Sequence, residues 1–276
     1  MIKYKFLSMI FNRMQDYANQ IVIPKYDHDT HHEYGIGPML GWESLDWYPR
    51  DDEETFDKNW ANPKTKDMLI RYGWAKDSIK YNSNRQGFRM GIDLNEITPG
   101  THDFYLGCSM TYGIGVNTKD TWVTKMSERL NFPGLNFGVP GGSIESQYRV
   151  LRCWAPLLKP RRVYTLGTYM GRRELLEDNT PLNIGNPARE WQRFVENPRH
   201  ELYWKSEIQI SHVRAYDAMR SVCRDYGIEF YSIADNKRQI FPKLNGQREG
   251  RDLIHPGPIW HSEIANLPDD YWERLA

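Results

Sequence analysis

Short apolar runs alternate with stretches of helical spacing over the last two thirds of the chain. DFYLG at 103–107, GLNFG at 134–138, RVYTLG at 162–167 and IEFYSI at 228–233 each have the length of a buried strand. Between the first two, Trp122, Met126 and Leu130 recur every fourth residue, which predicts a helix over 118–130. Ser143 is placed to cap a second helix, with Ser146 and Gln147 in its first turn. Its apolar stripe is Ile144, Tyr148, Leu151, Ala155 and Leu158, and it stops before Pro160. A long helix is expected over 201–226, with Val213, Tyr216, Met219 or Arg220, Cys223 and Tyr226 inward and Gly227 closing it. Pro258 to Leu267 reads as a last helix. Strand and helix in alternation imply right-handed βαβ units and a mainly parallel sheet covered on both faces.

The first 100 residues show neither period. They are expected to form an irregular N-terminal extension, 1–100, packing through its aromatic residues on a domain spanning 101–276. Within it, Asp51 to Glu54 reads as a solvated acidic run. Tyr81 to Met90 reads as turn chemistry ending in an aromatic anchor, Phe88. The opening MIKYKFLSMIFNRM has two lysines and a short apolar stretch, but Ser8 breaks it and no small-residue cleavage site follows before Pro24. It is expected to be a short helix or strand that docks on the domain.

Charge and composition exclude several classes. The chain has 276 residues with 36 Lys and Arg against 36 Asp and Glu, so no basic excess marks a nucleic-acid or anionic-membrane surface. Its mean hydropathy of −0.73 and its short apolar runs leave no span of the roughly 20 residues a transmembrane helix needs. Aromatics are 13% of the chain, far from a disordered composition. Cys108, Cys153 and Cys223 are odd in number and lack C-x-x-C spacing, which suggests a reducing, cytoplasmic setting.

In parallel α/β sheets, ligands bind outside the carboxyl ends of the strands. After the first strand stands Gly107-Cys108-Ser109-Met110-Thr111-Tyr112-Gly113. A serine on such a turn can expose its hydroxyl and direct a backbone N–H at a developing oxyanion. The same turn also fits an ordinary capped loop, and Thr111 makes it differ from a G-x-S-x-G elbow. The second strand leads into Gly138-Val139-Pro140-Gly141-Gly142-Ser143, a flexible turn whose glycines permit close backbone approach. Asp252 and His255 are three apart, a spacing at which a carboxylate can fix an imidazole tautomer. Asp29 and His32 share that spacing but lie in the irregular segment.

Taken in order, serine turn, glycine turn and Asp-x-x-His resemble the SGNH, or GDSL-type, hydrolase superfamily over roughly residues 103 to 267. The resemblance implies a three-layer α/β/α fold with a flavodoxin-like sheet. It implies a serine esterase or acyl-hydrolase in which Ser109 is the nucleophile, His255 the base and Asp252 its orienting acid. The N–H groups of Ser109 and Gly141 would line the oxyanion hole. Asn82-Ser83 through Gly87-Phe88-Arg89 is similar to a lead-in found before the serine block in phage-type and bacterial members.

Two positions depart from the family. Cys108 stands where the family has Asp, a residue outside the triad. In the third block the family's Asn is absent, and Leu166-Gly167-Thr168-Tyr169-Met170-Gly171-Arg172-Arg173-Glu174 offers Tyr169 or Arg172 as replacement oxyanion donors. Arg172 is the preferred one, because its planar, permanently charged fork reaches further. Arg172 and Arg173 also fit salt bridges on a helix surface with Glu174 or Glu177. The substrate class is a small-molecule, lipid or carbohydrate ester, with no cofactor required. A catalytically silent glycan-binding or assembly domain is the alternative that the missing Asn suggests. His28, His31, His32 and Glu33 match no zinc spacing and are read as a polar loop, so no metal is expected. Gly113-Ile114-Gly115 lacks the third glycine of a dinucleotide fingerprint.

Overall fold

Four of the apolar runs line up side by side in a single sheet. The computed structural model describes residues 37–39, 44–168, 172–177, 180–184, 198–233 and 249–276. In chain order the elements are β1 (Ser44–Leu45), α1 (Glu53–Ala61), α2 (Pro63–Tyr72), β2 (Tyr81–Asn82), β3 (Asp103–Gly107), α3 (Ser109–Tyr112), α4 (Trp122–Leu130), β4 (Gly134–Gly138) and α5 (Ile144–Leu158). There follow β5 (Arg162–Thr165), β6 (Arg173–Glu177), β7 (Thr180–Ile184), α6 (Pro198–Asp225), β8 (Glu229–Ile233), α7 (Pro258–Ala265) and β9 (Trp272–Arg274). The main sheet has the order β4-β3-β5-β8-β9; the first four strands are parallel and β9 closes the edge antiparallel to β8. The parallel part thus begins at β3 and moves outward in both directions, as in doubly wound folds.

Successive strand residues face opposite sides, and both sides are buried. Phe104, Leu106, Phe137, Val163 and Phe230 pack under α5 and α6, with Leu151, Ala155, Met219 and Cys223. Tyr105, Tyr164 and Ile233 face the other way, against Trp122 and Met126 of α4, Trp260 and Ile264 of α7, and Trp272 of β9. The result is three layers, α/β/α.

Several elements differ from the sequence reading. Residues 53–72 are helical because local caps suffice where apolar periodicity is sparse. Asp52 accepts from the Thr55 N–H, Asn62 caps α2 with Pro63 at its first position, and Gly73 ends it in the left-handed region. Only Phe56 and Leu69 are buried in the two helices, too few to produce a stripe. Nor is Asp51–Glu54 simply solvated. Asp51 is 1% exposed and paired with Arg251, Asp52 is the cap, and Glu53 and Glu54 pair with Lys76 and Lys58. In α6 the inward face is His212, Ala215, Met219, Val222 and Cys223, while Val213 and Tyr226 are exposed. Arg173 and Glu174 belong to the strand hairpin β6–β7, not to a helix. The segment 118–130 is split: a 3-10 turn at Thr118–Asp120, then α4, capped by Thr121.

The second layer contains a histidine that burial holds neutral. His261 on α7 accepts the Trp122 N–H at 3.1 Å through Nδ1, and desolvation pushes its pKa down to about 3. The unfolded chain takes up a proton near pH 6.5 while the fold resists until about pH 3, so stability is full above 6.5 and falls as pH drops through that window. His261→Asn keeps an acceptor but does not titrate. Wild type is expected to lose about 2 kcal/mol more than this variant between pH 7 and pH 5. Urea unfolding at the two pH values measures the difference.

Candidate functional site

Two glycines set the geometry of the carboxyl edge. Gly107 ends β3 and Gly138 ends β4, and the two are direct partners in the parallel register. A Cβ on Gly107 would lie 1.9 Å from Thr111 Oγ1, and one on Gly138 would lie 2.2 Å from the Tyr112 nitrogen. Only the missing side chains let the first turn of α3 fold back against both strand ends. The serine turn and the glycine turn therefore start side by side, tied by Val139 N–H donating to Gly107 carbonyl at 3.0 Å.

Ser109 is the first residue of α3, so its N–H has no intrahelical acceptor. Gly113, in the left-handed region, closes the four-residue helix by donating to the Ser109 carbonyl. Asn136 on β4 braces it through Nδ2 to the Thr111 carbonyl at 2.9 Å. Cys108 next door is buried. On the glycine turn, Gly141 has φ +73° and faces open space, so a side chain there would meet backbone strain rather than a neighbour.

The second half of the site is the turn at 250–255. The Asp252 carboxylate is buried and meets His255 Nδ1 at 2.5 Å. Its other oxygen accepts the N–H groups of Ile254 and His255 at 3.1 and 3.0 Å. An ionised carboxylate only accepts, so the Nδ1 proton is on the imidazole and Nε2 is left as the basic nitrogen. Gly115 and Gly250 flank Asp252; a Cβ on either would lie 3.0 Å from its Oδ1.

Ser109 Oγ makes no hydrogen bond to His255 among the described residues, so the Asp252–His255 contact is made and a Ser109–His255 contact is not. Catalytic hydrogen bonds often tighten only with substrate present. Arg172 donates to Thr168 Oγ1 at 3.1 Å, and Thr168 donates to the Gly142 carbonyl at 2.9 Å. It therefore abuts the glycine turn and carries no carboxylate partner among the described residues. Arg173 turns away to Glu145 at 2.6 Å, and Glu174 pairs with Arg149. Tyr169 lies outside the described residues, as do His28, Asp29, His31, His32 and Glu33. Among the described residues no group of His, Cys, Asp and Glu is arranged to hold a metal ion.

The lead-in segment that ends at Arg89 completes the surroundings. Arg89 is buried beneath the serine turn and donates to the carbonyls of Tyr112, Gly113, Val116 and Lys80. Its guanidinium lies 4.4 Å from the Tyr81 ring centroid. Burial lowers its pKa, yet carbonyl lone pairs and two tyrosine faces compensate the charge. A cavity of about 260 Å³ is lined by His102, Pro133 and Gly134 near the amino ends of β3 and β4 and by Arg89, Thr121 and Asn136, two of which also brace the serine turn. Ser109, Asp252 and His255 do not line it.

Fold and site together define a doubly wound α/β protein with an Asp–His pair and a serine turn at the carboxyl edge. No protein-family model matches the chain, and no curated protein matches it. Among solved structures, a lipolytic protein of the G-D-S-L family from Desulfitobacterium hafniense aligns at 13% identity, covering 60% of this chain and 96% of its own, with a TM-score of 0.32. A related G-D-S-L protein from Veillonella parvula aligns at 12%, covering 59% and 93%, with a TM-score of 0.32. A family 3 carbohydrate esterase from Clostridium thermocellum aligns at 10%, covering 62% and 94%, with a TM-score of 0.31. Likeness at this level assigns neither family nor activity to this chain.

The role of Arg89 is open to direct measurement. Arg89→Met would leave several buried carbonyls without donors, at ~1–3 kcal/mol each, and is expected to destabilise the fold by roughly 3 kcal/mol or more. Equilibrium urea unfolding of the two proteins tests this.

Proposed function

We propose that the protein is a serine hydrolase acting on ester bonds. Ser109 Oγ attacks the ester carbonyl while His255 Nε2 takes its proton. Asp252 holds the imidazole and stabilises the imidazolium. The tetrahedral oxyanion is received by the N–H groups of Ser109 and Gly141. His255 then protonates the leaving alkoxide, and water repeats the sequence to release the acid. The observation carrying this reading is the 2.5 Å contact of a buried Asp252 with His255 on a turn packed against the end of the serine turn.

The donor that replaces the family's Asn is assigned to Arg172, because Thr168 holds it against the glycine turn. A second reading, a catalytically silent domain that binds a glycan, draws on the missing Ser109–His255 hydrogen bond.

A fluorophosphonate probe separates the two. Intact-mass analysis is expected to show one adduct on wild type and none on Ser109→Ala; an unlabelled wild type favours the silent domain. In an active protein, Arg172→Ala is expected to lower kcat by roughly 10²–10³ with a smaller change in KM, and Arg172→Lys to rescue only in part. If instead Arg172→Ala stays within about twofold and Tyr169→Phe cripples turnover, the tyrosine is the donor.

A further inference from the structure

One carboxylate from the N-terminal segment connects both halves of the site. Asp51 accepts from Arg251 Nε at 3.0 Å and from its terminal nitrogen at 2.9 Å, and accepts the Tyr81 hydroxyl at 2.5 Å. Tyr81 Oη in turn accepts the Gly115 N–H at 2.9 Å. The Gly115 carbonyl accepts the Arg251 N–H at 2.9 Å, which closes the ring. Every side chain in it is at most 1% exposed. Gly115 follows the serine turn, and Arg251 immediately precedes Asp252.

Further contacts run the same way. Arg251 donates to the carbonyls of Lys76 and Asp46 and stacks 4.0 Å from the Trp47 ring centroid. Trp74 Nε1 donates to the Glu249 carbonyl at 2.6 Å. Phe56, Leu69, Trp74, Ile79 and Tyr81 form one apolar cluster with Tyr112, Ile114 and Val116. A segment that only covered the domain would need apolar contact alone. Instead it spends a buried charge and a buried hydroxyl on the two turns that carry the reacting groups.

We propose that Asp51 and Tyr81 are positioning residues of the active site. Through Arg251 they hold the Asp252–His255 turn, and through Gly115 the serine turn, in one fixed relation. This rests on the hydrolase reading for its chemistry. The substrate is not touched by either residue. Without Asp51, the Arg251 guanidinium is left unneutralised one residue from Asp252, and its positive field falls on the Asp252–His255 pair. The charged and titratable groups around this centre include Asp252, His255, Arg251 and Glu249 on or beside the turn, Asp51, Tyr81 and Tyr48 from the segment, and Tyr112, Arg89 and His261 behind them. Of these, only Asp51 changes charge in Asp51→Asn.

The test measures the rate of fluorophosphonate labelling against pH for wild type, Asp51→Asn and Tyr81→Phe, each checked for folding by circular dichroism. Asp51→Asn is expected to label at least about tenfold more slowly, as misplaced reacting groups do. Its acid-limb midpoint is expected to move to lower pH, because an unneutralised cation disfavours the imidazolium. A purely structural loss would lower the amplitude and leave the midpoint in place. Tyr81→Phe keeps the ring and removes only the hydroxyl bridge, and is expected to label several-fold more slowly. Labelling of both variants within twofold of wild type, with an unmoved midpoint, overturns the proposal. If Asp51→Asn fails to fold, Tyr81→Phe decides alone, a rate within twofold of wild type being the overturning result. If wild type itself does not label, the hydrolase reading has failed. The positioning role is then judged by NMR titration of His255 in wild type and the folded variant, where an unchanged midpoint overturns it.

Discussion

A carboxylate withdrawn from water keeps its charge only when a cation and hydrogen-bond donors are held against it. Asp51 meets that requirement by drawing three parts of the chain together. Arg251 supplies the charge, Tyr81 supplies a hydroxyl, and Gly115 completes the circuit with both its N–H and its carbonyl. Burial pushes the Asp51 carboxyl up and the Arg251 contacts pull it back. Such a pair adds little net stability over apolar residues of the same size, but breaking one partner is costly. Its effect is geometric: the turn bearing Asp252 has one position relative to the serine turn.

The carboxyl edge is built from absences as much as from contacts. Gly107 and Gly138 make room for α3, and Gly115 and Gly250 make room for the Asp252 carboxylate. A methyl group would collide outright at Gly107 and Gly138, and at Gly115 and Gly250 it would press tightly on the Asp252 carboxylate and nearby backbone. Close packing of this kind transmits position. The end of β3 fixes α3, α3 fixes Gly115, and Gly115 meets Arg251.

Arg89 plays the complementary part beneath the serine turn. A helix of four residues cannot satisfy its own terminal carbonyls. The guanidinium collects them with that of Val116, and two tyrosine rings cover its faces. Serine turn, acid–histidine turn and N-terminal segment are thus joined through two buried arginines, and among the described residues only Arg251 has a carboxylate partner.

Local signals carried the sequence reading as far as local physics reaches. The strands at 103–107 and 134–138 and the Ser143 cap with its helix were legible because each depends on neighbours along the chain. Asp252 and His255 could be paired for the same reason, being three residues apart on one turn. The inward face of α6 was misplaced at Val213 and Tyr226, since which side of a helix is buried depends on what it packs against. The hairpin β6–β7, the edge strand β9 and the helices at 53–72 carry too few apolar residues to show a period. Asp51 looked like one more solvent-exposed acid, because its partner Arg251 stands 200 positions away. The sequence by itself determined the layered α/β plan and the Asp252–His255 pairing, which follow from periodicity and short spacing. Only the tertiary structure decided that an early aspartate reaches the turn carrying that pair, because an ion pair between distant residues exists only after the fold has brought them together.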